Sequence, residues 1–425
     1  MFILEKNKVL SKLISKHIDK IALEEKLTSE QINLGICSGT MVLLGNPKHS
    51  DVKPTLIGQP ARIKVNANIG TSPLESSSNK EMNKLKVAYK AGADTVMDLS
   101  TGGDLYSIRE EMLAGTSLPL GTVPLYVVAQ KYIKKHADPA KMDPEELFEE
   151  IERQAEQGVD FMTLHCGVTY KAAELGSQND RVLGIVSRGG ALLARWMFKN
   201  KKENPLYTEY DRLLKIASKY NVTISLGDGL RPGGGCDAGD SAQWEELMVL
   251  GELTRRGQQA GVQCMIEGPG HVRLHEVEAQ VISIKKLTHG APLYVLGPLV
   301  IDSSPGYDHI SGAIGAAVSV RAGVDFLCYL TPAEHLSLPN EDDVFQGVMA
   351  SRIAAQAGEV SLGRPLALER EACISESRKK LDWDGMRNAA LDANAVDLRR
   401  EPHKKEKVCS MCGDFCSMDM LNDKW

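Results

Sequence analysis

Several things are scarce in this chain of 425 residues, and each absence excludes something. No apolar run approaches the roughly 20 residues that a membrane-spanning helix needs, so no membrane partner is expected. The N-terminus, Met1-Phe-Ile-Leu-Glu-Lys, has no apolar core followed by a small-residue cleavage site, so no secretory leader is expected. Basic excess is missing: 50 Lys and Arg face 56 Asp and Glu, for a net charge of -6, which argues against a nucleic-acid partner. Closely spaced cysteines are also scarce. Of nine, six (Cys37, Cys166, Cys236, Cys264, Cys328, Cys373) are scattered along the chain. That speaks against a disulfide framework and for reduced thiols in a cytoplasmic setting.

The remaining three cysteines form the densest chemical signal, Cys409-Ser-Met-Cys412-Gly-Asp-Phe-Cys416. Thiolates this close can face one ion or cluster from a single loop. Three of them leave a cubane cluster one ligand short, so one iron would stay open for a substrate or cofactor. A zinc knuckle lacking a ligand, or loose tail thiols, are the plain alternatives.

Upstream, Leu10 to Glu24 has helical spacing, and Ser29 to Leu34 reads as a second helix capped by Thr28 or Ser29. Ser38 to Ala61, rich in Gly and Pro, reads as a connector, so residues 1–61 form an N-terminal domain. From Arg62 a phrase recurs: Ala91-Gly-Ala-Asp94, Gln157-Gly-Val-Asp160, Ala260-Gly-Val-Gln263 and Ala322-Gly-Val-Asp325, each before an apolar run. Glycine just past a helix supplies a left-handed cap, and a strand follows at once. Repeated helix–Gly–strand units imply parallel strands with crossover helices.

Nine strand candidates end near Asn68, Met97, Tyr126, His165, Ser187, Asp228, Glu267, Tyr294 and Glu334. Eight would close an α/β barrel of the (β/α)8 type over residues 62–340. The surplus one is Val182 to Val186, because Gly167 to Asp180 makes a poor crossover helix. An open doubly wound sheet is the competing architecture. Residues 341–398 read as helical, and 399–425 as a charged linker carrying the cysteine loop.

In a parallel barrel, reactive groups collect where strands end. Nearly every end here is polar. Ser187-Arg188-Gly189-Gly190 and Asp228-Gly229-Leu230-Arg231 combine backbone donors, small residues and one guanidinium each, a set that suits a sugar phosphate. Two tight turns with surface arginines would look the same. His271 and His335 each follow a stiffened corner and could share a divalent metal, or be separate hydrogen-bonded histidines.

The runs Asn66-Ala-Asn-Ile-Gly70, Val96-Met-Asp-Leu-Ser-Thr-Gly-Gly-Asp104, Ile185-Val-Ser-Arg-Gly-Gly190, Ser225-Leu-Gly-Asp-Gly-Leu-Arg-Pro-Gly233, Ile266-Glu-Gly-Pro-Gly-His-Val272, Pro305-Gly-Tyr-Asp-His-Ile310 and Thr331-Pro-Ala-Glu-His-Leu336 resemble the phosphomethylpyrimidine synthases, radical S-adenosylmethionine enzymes. The resemblance runs from about residue 30 to the end. It implies a homodimer whose cysteine arm reaches the partner's active site, and 5-aminoimidazole ribotide as substrate. It implies substrate contacts at Asn68, Met97, Tyr126, His165, Ser187, Arg188, Gly189, Asp228, Gly229, Leu230, Arg231, Glu267 and Tyr294. It places a divalent metal, zinc or iron, on His271 and His335. Cys409, Cys412 and Cys416 would hold a 4Fe-4S cluster that binds S-adenosylmethionine. An electron donor such as flavodoxin or ferredoxin would feed it, and the resulting 5′-deoxyadenosyl radical would take hydrogen from the ribotide.

Departures from the family pattern gather around these groups: three residues in the second cysteine gap, Leu43 to His49, Cys166 beside His165, Ile301-Asp-Ser-Ser304, and Arg273 after His271-Val272. They resemble the paralogous 5-hydroxybenzimidazole synthase, which makes a cobamide lower-ligand precursor from the same ribotide. The expected product is therefore 5-hydroxybenzimidazole, with the thiamin pyrimidine phosphate as the alternative. A third reading is a metal-binding protein that has lost catalysis.

Overall fold

The computed structural model describes residues 2–135, 137–177 and 181–422. It divides into two compact units, residues 1–358 and 359–425.

The first unit opens with helices Phe2–Lys6, Lys8–Glu25 and Ser29–Ser38. Asn7 caps the second by accepting from the Leu10 N–H. Thr28 and Gln31 form a reciprocal capping box on the third, which settles the cap on Thr28. Leu10, Ile14 and Ile21 share one buried helix face and pack with Ile32, Ile36 and Met41. The expected connector is more than a connector. Val42–Leu44 (β1) pairs antiparallel with Thr55–Ile57 (β2), and Leu43 and Leu56 join the same core. Glycine and proline marked the loop between the strands and hid the strands themselves.

Eight parallel strands then close a barrel: Lys64–Ile69 (β3), Thr95–Asp98 (β4), Leu120–Thr122 (β5), Phe161–Leu164 (β6), Thr223–Leu226 (β7), Cys264–Gly268 (β8), Leu293–Leu296 (β9) and Phe326–Cys328 (β10). Closure comes from β10, whose Phe326 is in register with both Lys64 and Tyr294. The Phe326 ring stacks on Tyr294 at 4.2 Å and meets Phe161 edge-on at 6.4 Å, filling the barrel axis with aromatic surface.

The recurring phrase has a physical explanation. Gly92, Gly158, Gly261 and Gly323 all have positive φ, from 83° to 124°, and end their helices. The polar residue two places later reaches the start of the preceding strand. Asp94 accepts from the Val65 N–H, Asp160 from Leu120 and Asp325 from Leu293, each at 2.8 Å. Gln263 donates to Thr223 Oγ1 at 3.2 Å. Each unit thus pins its strand to the one before it.

The surplus strand candidate is where it was expected: Val182 to Val186 forms no strand, and residues 178–180 before it lie outside the described residues. Ser187 instead caps helix Arg188–Asn200. Two expectations need correction. Tyr126 sits in the first turn of helix Pro124–Lys134, because β5 stops at Thr122 and Pro124 starts the helix. Glu334 lies six residues beyond the end of β10, in a turn.

The C-terminal helical run is broken into Glu341–Ser361, Pro365–Lys380, Trp383–Ala389 and Ala393–Arg400. Leu381, at φ 53°, ends the second of these. Glu401 to Lys407 is exposed. Its flanks are held: Arg400 stacks over Trp383 and donates to the Val408 and Glu406 carbonyls, and Trp383 Nε1 donates to the Lys407 carbonyl. No helix of the described residues is long and apolar enough to cross a membrane.

Candidate active site

The barrel's C-terminal mouth holds a cavity with about 490 Å³ of empty space, part of it open to solvent. Of the residues singled out from sequence, Asn68, Met97, Tyr126, His165, Asp228, Arg231, Glu267 and Tyr294 all line it. Their positions follow from the strands. Asn68 and Met97 are register partners on β3 and β4, and Glu267 and Tyr294 are partners on β8 and β9. His165 follows β6 directly, and Asp228 stands two residues past β7.

Two loops meet beside this cavity. A Cβ on Gly190 would sit 2.0 Å from the Gly229 carbonyl, and one on Gly189 would sit 2.2 Å from the His165 ring. Only glycine lets the helix at Ser187 approach this closely. Ser187 Oγ accepts from the Gly190 N–H and lies 3.3 Å from His165 Nε2. Ser187–Gly189 and Gly229–Leu230 thus pack as one wall behind His165 and Arg231, which line the cavity while these five residues do not. Arg188 is exposed and lies over the Tyr126 ring at 4.8 Å.

The wall is fixed from behind by residues that the sequence did not reveal. Glu246, on helix Ser241–Ala260, accepts from the Leu230 N–H at 2.8 Å. Arg181 donates to the Leu230 carbonyl at 2.6 Å and pairs with Asp240 through two nitrogens. Asn204 bonds the His165 and Val168 carbonyls. Each sits far along the chain from its partner, so no local pattern marked it.

Electrostatics divide the site into held and unheld groups. Glu267 accepts from Thr163 at 2.6 Å and Ser225 at 2.8 Å. Tyr294 OH accepts from Asn66, and Asn68 donates to Cys328 Sγ at 2.9 Å. Arg231 donates to Asp228 Oδ1 at 2.9 Å, while Asp228 Oδ2 is buried without a partner. Glu246 Oε1 and His165 Nδ1 are likewise unpartnered. Burial pushes the Asp228 carboxyl up against the pull of Arg231, and raises Glu267 and Glu246. Burial, helped by Arg231, lowers His165 to about 3, so the ring is neutral at working pH. Buried groups with unspent hydrogen-bonding capacity mark a place built for a polar ligand.

Beside the cavity, His271 and His335 come together, their ring centroids 5.2 Å apart. Each Nδ1 faces a carboxylate: Asp302 Oδ1 at 2.7 Å from His271, Asp308 Oδ2 at 3.7 Å from His335. Asp302 also accepts from the Gly235 N–H. His335 has φ 62°, a strained value for a non-glycine residue. Both Nε2 atoms are left for another partner. A carboxylate behind an imidazole is how proteins orient a metal-binding histidine, so the pair fits a divalent metal. It supplies two nitrogens, and no group of three His, Cys, Asp or Glu side chains gathers among the described residues.

In the second unit, Cys409 and Cys412 interact through their thiols, and backbone N–H groups of Cys412 and Met411 hold the Cys409 thiol below its ordinary value. Cys416 is buried while Cys412 is exposed. The donor chemistry fits a thiolate-held cluster; the three sulfurs do not converge in this arrangement.

The model of the radical SAM ThiC family matches residues 5–423. A phosphomethylpyrimidine synthase from Thermoanaerobacter sp. (strain X514) is 48% identical over 97% of this chain and 96% of its own length. Those from Geobacter metallireducens and Desulfotalea psychrophila are also 48% identical, over 97% and 95% of this chain and 95% and 93% of theirs. Among solved structures, dihydropteroate synthase from Thermus thermophilus superposes with a TM-score of 0.42 at 14% identity, over 75% of this chain and 99% of its own, too loose a likeness to bear on function. The expected benzimidazole product is overturned: relatives matching nearly the whole chain at this identity are named for the pyrimidine phosphate synthase. The chain belongs to the radical SAM ThiC family and is an enzyme.

Proposed function

We propose that this member of the family converts 5-aminoimidazole ribotide to the phosphorylated hydroxymethylpyrimidine of thiamin biosynthesis. The observation that carries the reading is the convergence of eight sequence-marked residues, from seven different strands or strand-following loops, on one cavity. Near-full-length relatives named phosphomethylpyrimidine synthase support it.

A 4Fe-4S cluster on Cys409, Cys412 and Cys416, with S-adenosylmethionine, would supply the one-electron cleavage that starts the radical chemistry. Gathering it requires the three sulfurs to draw together. The barrel residues bind and orient. Arg231, with the Ser187–Gly189 helix start, suits the ribotide phosphate: a guanidinium and free N–H groups at a helix N-terminus both favour an anion. Asp228 and Glu267, held near that charge by burial and by Thr163 and Ser225, suit the amino and imidazole N–H groups. Neutral His165 can donate or accept without adding charge. Asn68, Met97, Tyr126, Gly229, Leu230 and Tyr294 complete the fit, and Arg188 shields the mouth. His271 and His335 would hold a divalent ion, zinc or iron, close to the cavity. A flavodoxin- or ferredoxin-type donor and a homodimer in which the cysteine arm serves the partner's barrel belong to the same reading.

The test is an anaerobic reaction of the reconstituted enzyme with the ribotide, S-adenosylmethionine and a reductant, resolved by chromatography and mass spectrometry. The phosphorylated hydroxymethylpyrimidine should appear together with 5′-deoxyadenosine. Turnover of the ribotide without that pyrimidine would overturn the reading.

A further inference from the structure

At the opposite end of the barrel lies a second cleft, with about 1180 Å³ of empty space, part of it open to solvent, between helix Lys8–Glu25, the loop that joins β1 to β2 and the end of helix Tyr210–Tyr220. Its rim is cationic. Lys8, Lys12 and Lys16 are spaced four apart on one helix face and meet Lys48 and Lys219 across the opening. No Asp or Glu lines the cleft.

Like charges at this spacing repel along a helix, and a chain with net charge -6 has carboxylates to spare. Some lysines of this unit are paired, Lys20 with Glu24, Lys84 with Glu81 and Lys171 with Glu245, and others such as Lys86 and Lys215 pair with no described residue, but scattered and not gathered round one opening. Lys219 pairs too, with Glu152. Lys8, Lys12, Lys16 and Lys48 form no ion pair with any described residue. The local positive field is felt by His17 on the same wall, held below its ordinary value by burial and by Lys16 and Lys20.

The floor differs from the rim. Val9, Leu13, Val52, Pro54 and Tyr220 give it apolar surface. Its polar groups are spent: Asn46 donates to the Ala155 and Val159 carbonyls, and both His49 nitrogens are engaged, by Asp160 and the Thr116 carbonyl. What the cleft offers a ligand is therefore apolar contact below and unneutralised ammonium groups around it.

We propose that this cleft binds a phosphorylated small molecule with an apolar or aromatic body, of the nucleotide class, at a site distinct from the substrate cavity. The ammonium groups would take the phosphates as point charges, and the floor would take the ring. The assignment is independent of the reaction proposed above.

ATP and inorganic tripolyphosphate are suitable probes, titrated calorimetrically into the full-length protein at low ionic strength. ATP should bind, more tightly than tripolyphosphate, and weaken as salt rises. In Lys12→Ala plus Lys16→Ala, ATP affinity should fall by about tenfold or more, the size of one charge-assisted hydrogen bond. Alanine suits exposed helix positions, so that variant should fold, with unchanged circular dichroism and unchanged affinity for the ribotide. Absence of ATP binding to the wild type, or equal ATP affinity in wild type and variant, would overturn the site. Equal affinities for ATP and tripolyphosphate would overturn the nucleotide class.

Discussion

The two ends of the barrel carry similar residues and use them differently. At the N-terminal end Asp94, Asp160, Gln263 and Asp325 are buried or nearly so, and their oxygens accept from backbone N–H groups of neighbouring strands or loops. Asp160 also meets His49 at 2.8 Å, and Asp325 meets Lys285 at 2.7 Å. At the C-terminal end Asp228, Glu246 and His165 are as deeply buried, and each keeps an atom without a partner. Burying a polar atom unpaired costs about 1–3 kcal/mol, so a fold keeps such atoms only where something else benefits. A satisfied polar group holds the barrel together; an unsatisfied one waits for a ligand.

Substitutions at the two ends should therefore fail in different assays. The largest effect should come from Asp160→Ala, which strips partners from His49, Leu120 and Asn46 at once. Breaking a buried pair of this kind costs about 3–5 kcal/mol, visible as a shift in the urea midpoint, while activity per folded molecule stays near wild type. If Asp160→Ala instead kept its stability and lost turnover, the division between the two ends would collapse.

Glu267→Gln should do the reverse. It keeps the shape and the Thr163 and Ser225 contacts but removes charge facing the substrate, for a loss of about 10²–10³ in turnover with little change in midpoint. A matching loss of stability would make Glu267 a structural residue.

Next in size is Asp302→Asn, which weakens the hold on the His271 ring. Zinc affinity of the full-length protein, measured by chelator competition before cluster reconstitution, should fall about 10–100-fold. Unchanged affinity would leave the His271–His335 pair without a metal role, and zinc binding surviving His271→Ala plus His335→Ala would remove the site altogether.

The smallest effect is one of pH. His165 titrates near 3 when folded, well below an unfolded histidine. Between about pH 6.5 and 3 the unfolded chain binds a proton there that the folded chain does not, so stability falls on acidification, by about 1.4 kcal/mol per pH unit from this residue. His165→Asn should show a shallower decline between pH 6.5 and 5.5. Identical slopes would mean that the ring is accessible to protons in the folded state.

Much of this was legible in the chain and some was not, for physical reasons. The glycine phrase revealed the strands because a left-handed cap is a local requirement, met by Gly92, Gly158, Gly261 and Gly323 within their own turns. The ends Asn68, Glu267 and Tyr294 were legible because polarity breaks an apolar run at the point where a barrel strand leaves the core. Tyr126 and Ser187 were recognised as site residues but given the wrong element, since a Pro-started helix and a Ser cap both resemble strand ends. Glu246, Arg181 and Asp308 were hidden because their work is done across long stretches of sequence. Asp302 stood within a noted departure, Ile301 to Ser304, yet only the folded chain brings it to His271. The product was misjudged because it was read from Cys166 and Arg273, neither of which lines the cavity.

In the proposed reaction, radical chemistry begins on a ribotide held in the C-terminal cavity. The most direct measurement is label transfer: an anaerobic single turnover with ribotide carrying deuterium in place of its carbon-bound ribose hydrogens, followed by mass spectrometry of the 5′-deoxyadenosine. Deuterium in that nucleoside, formed alongside the pyrimidine phosphate, is the predicted result. Pyrimidine phosphate accompanied by wholly unlabelled 5′-deoxyadenosine would contradict it.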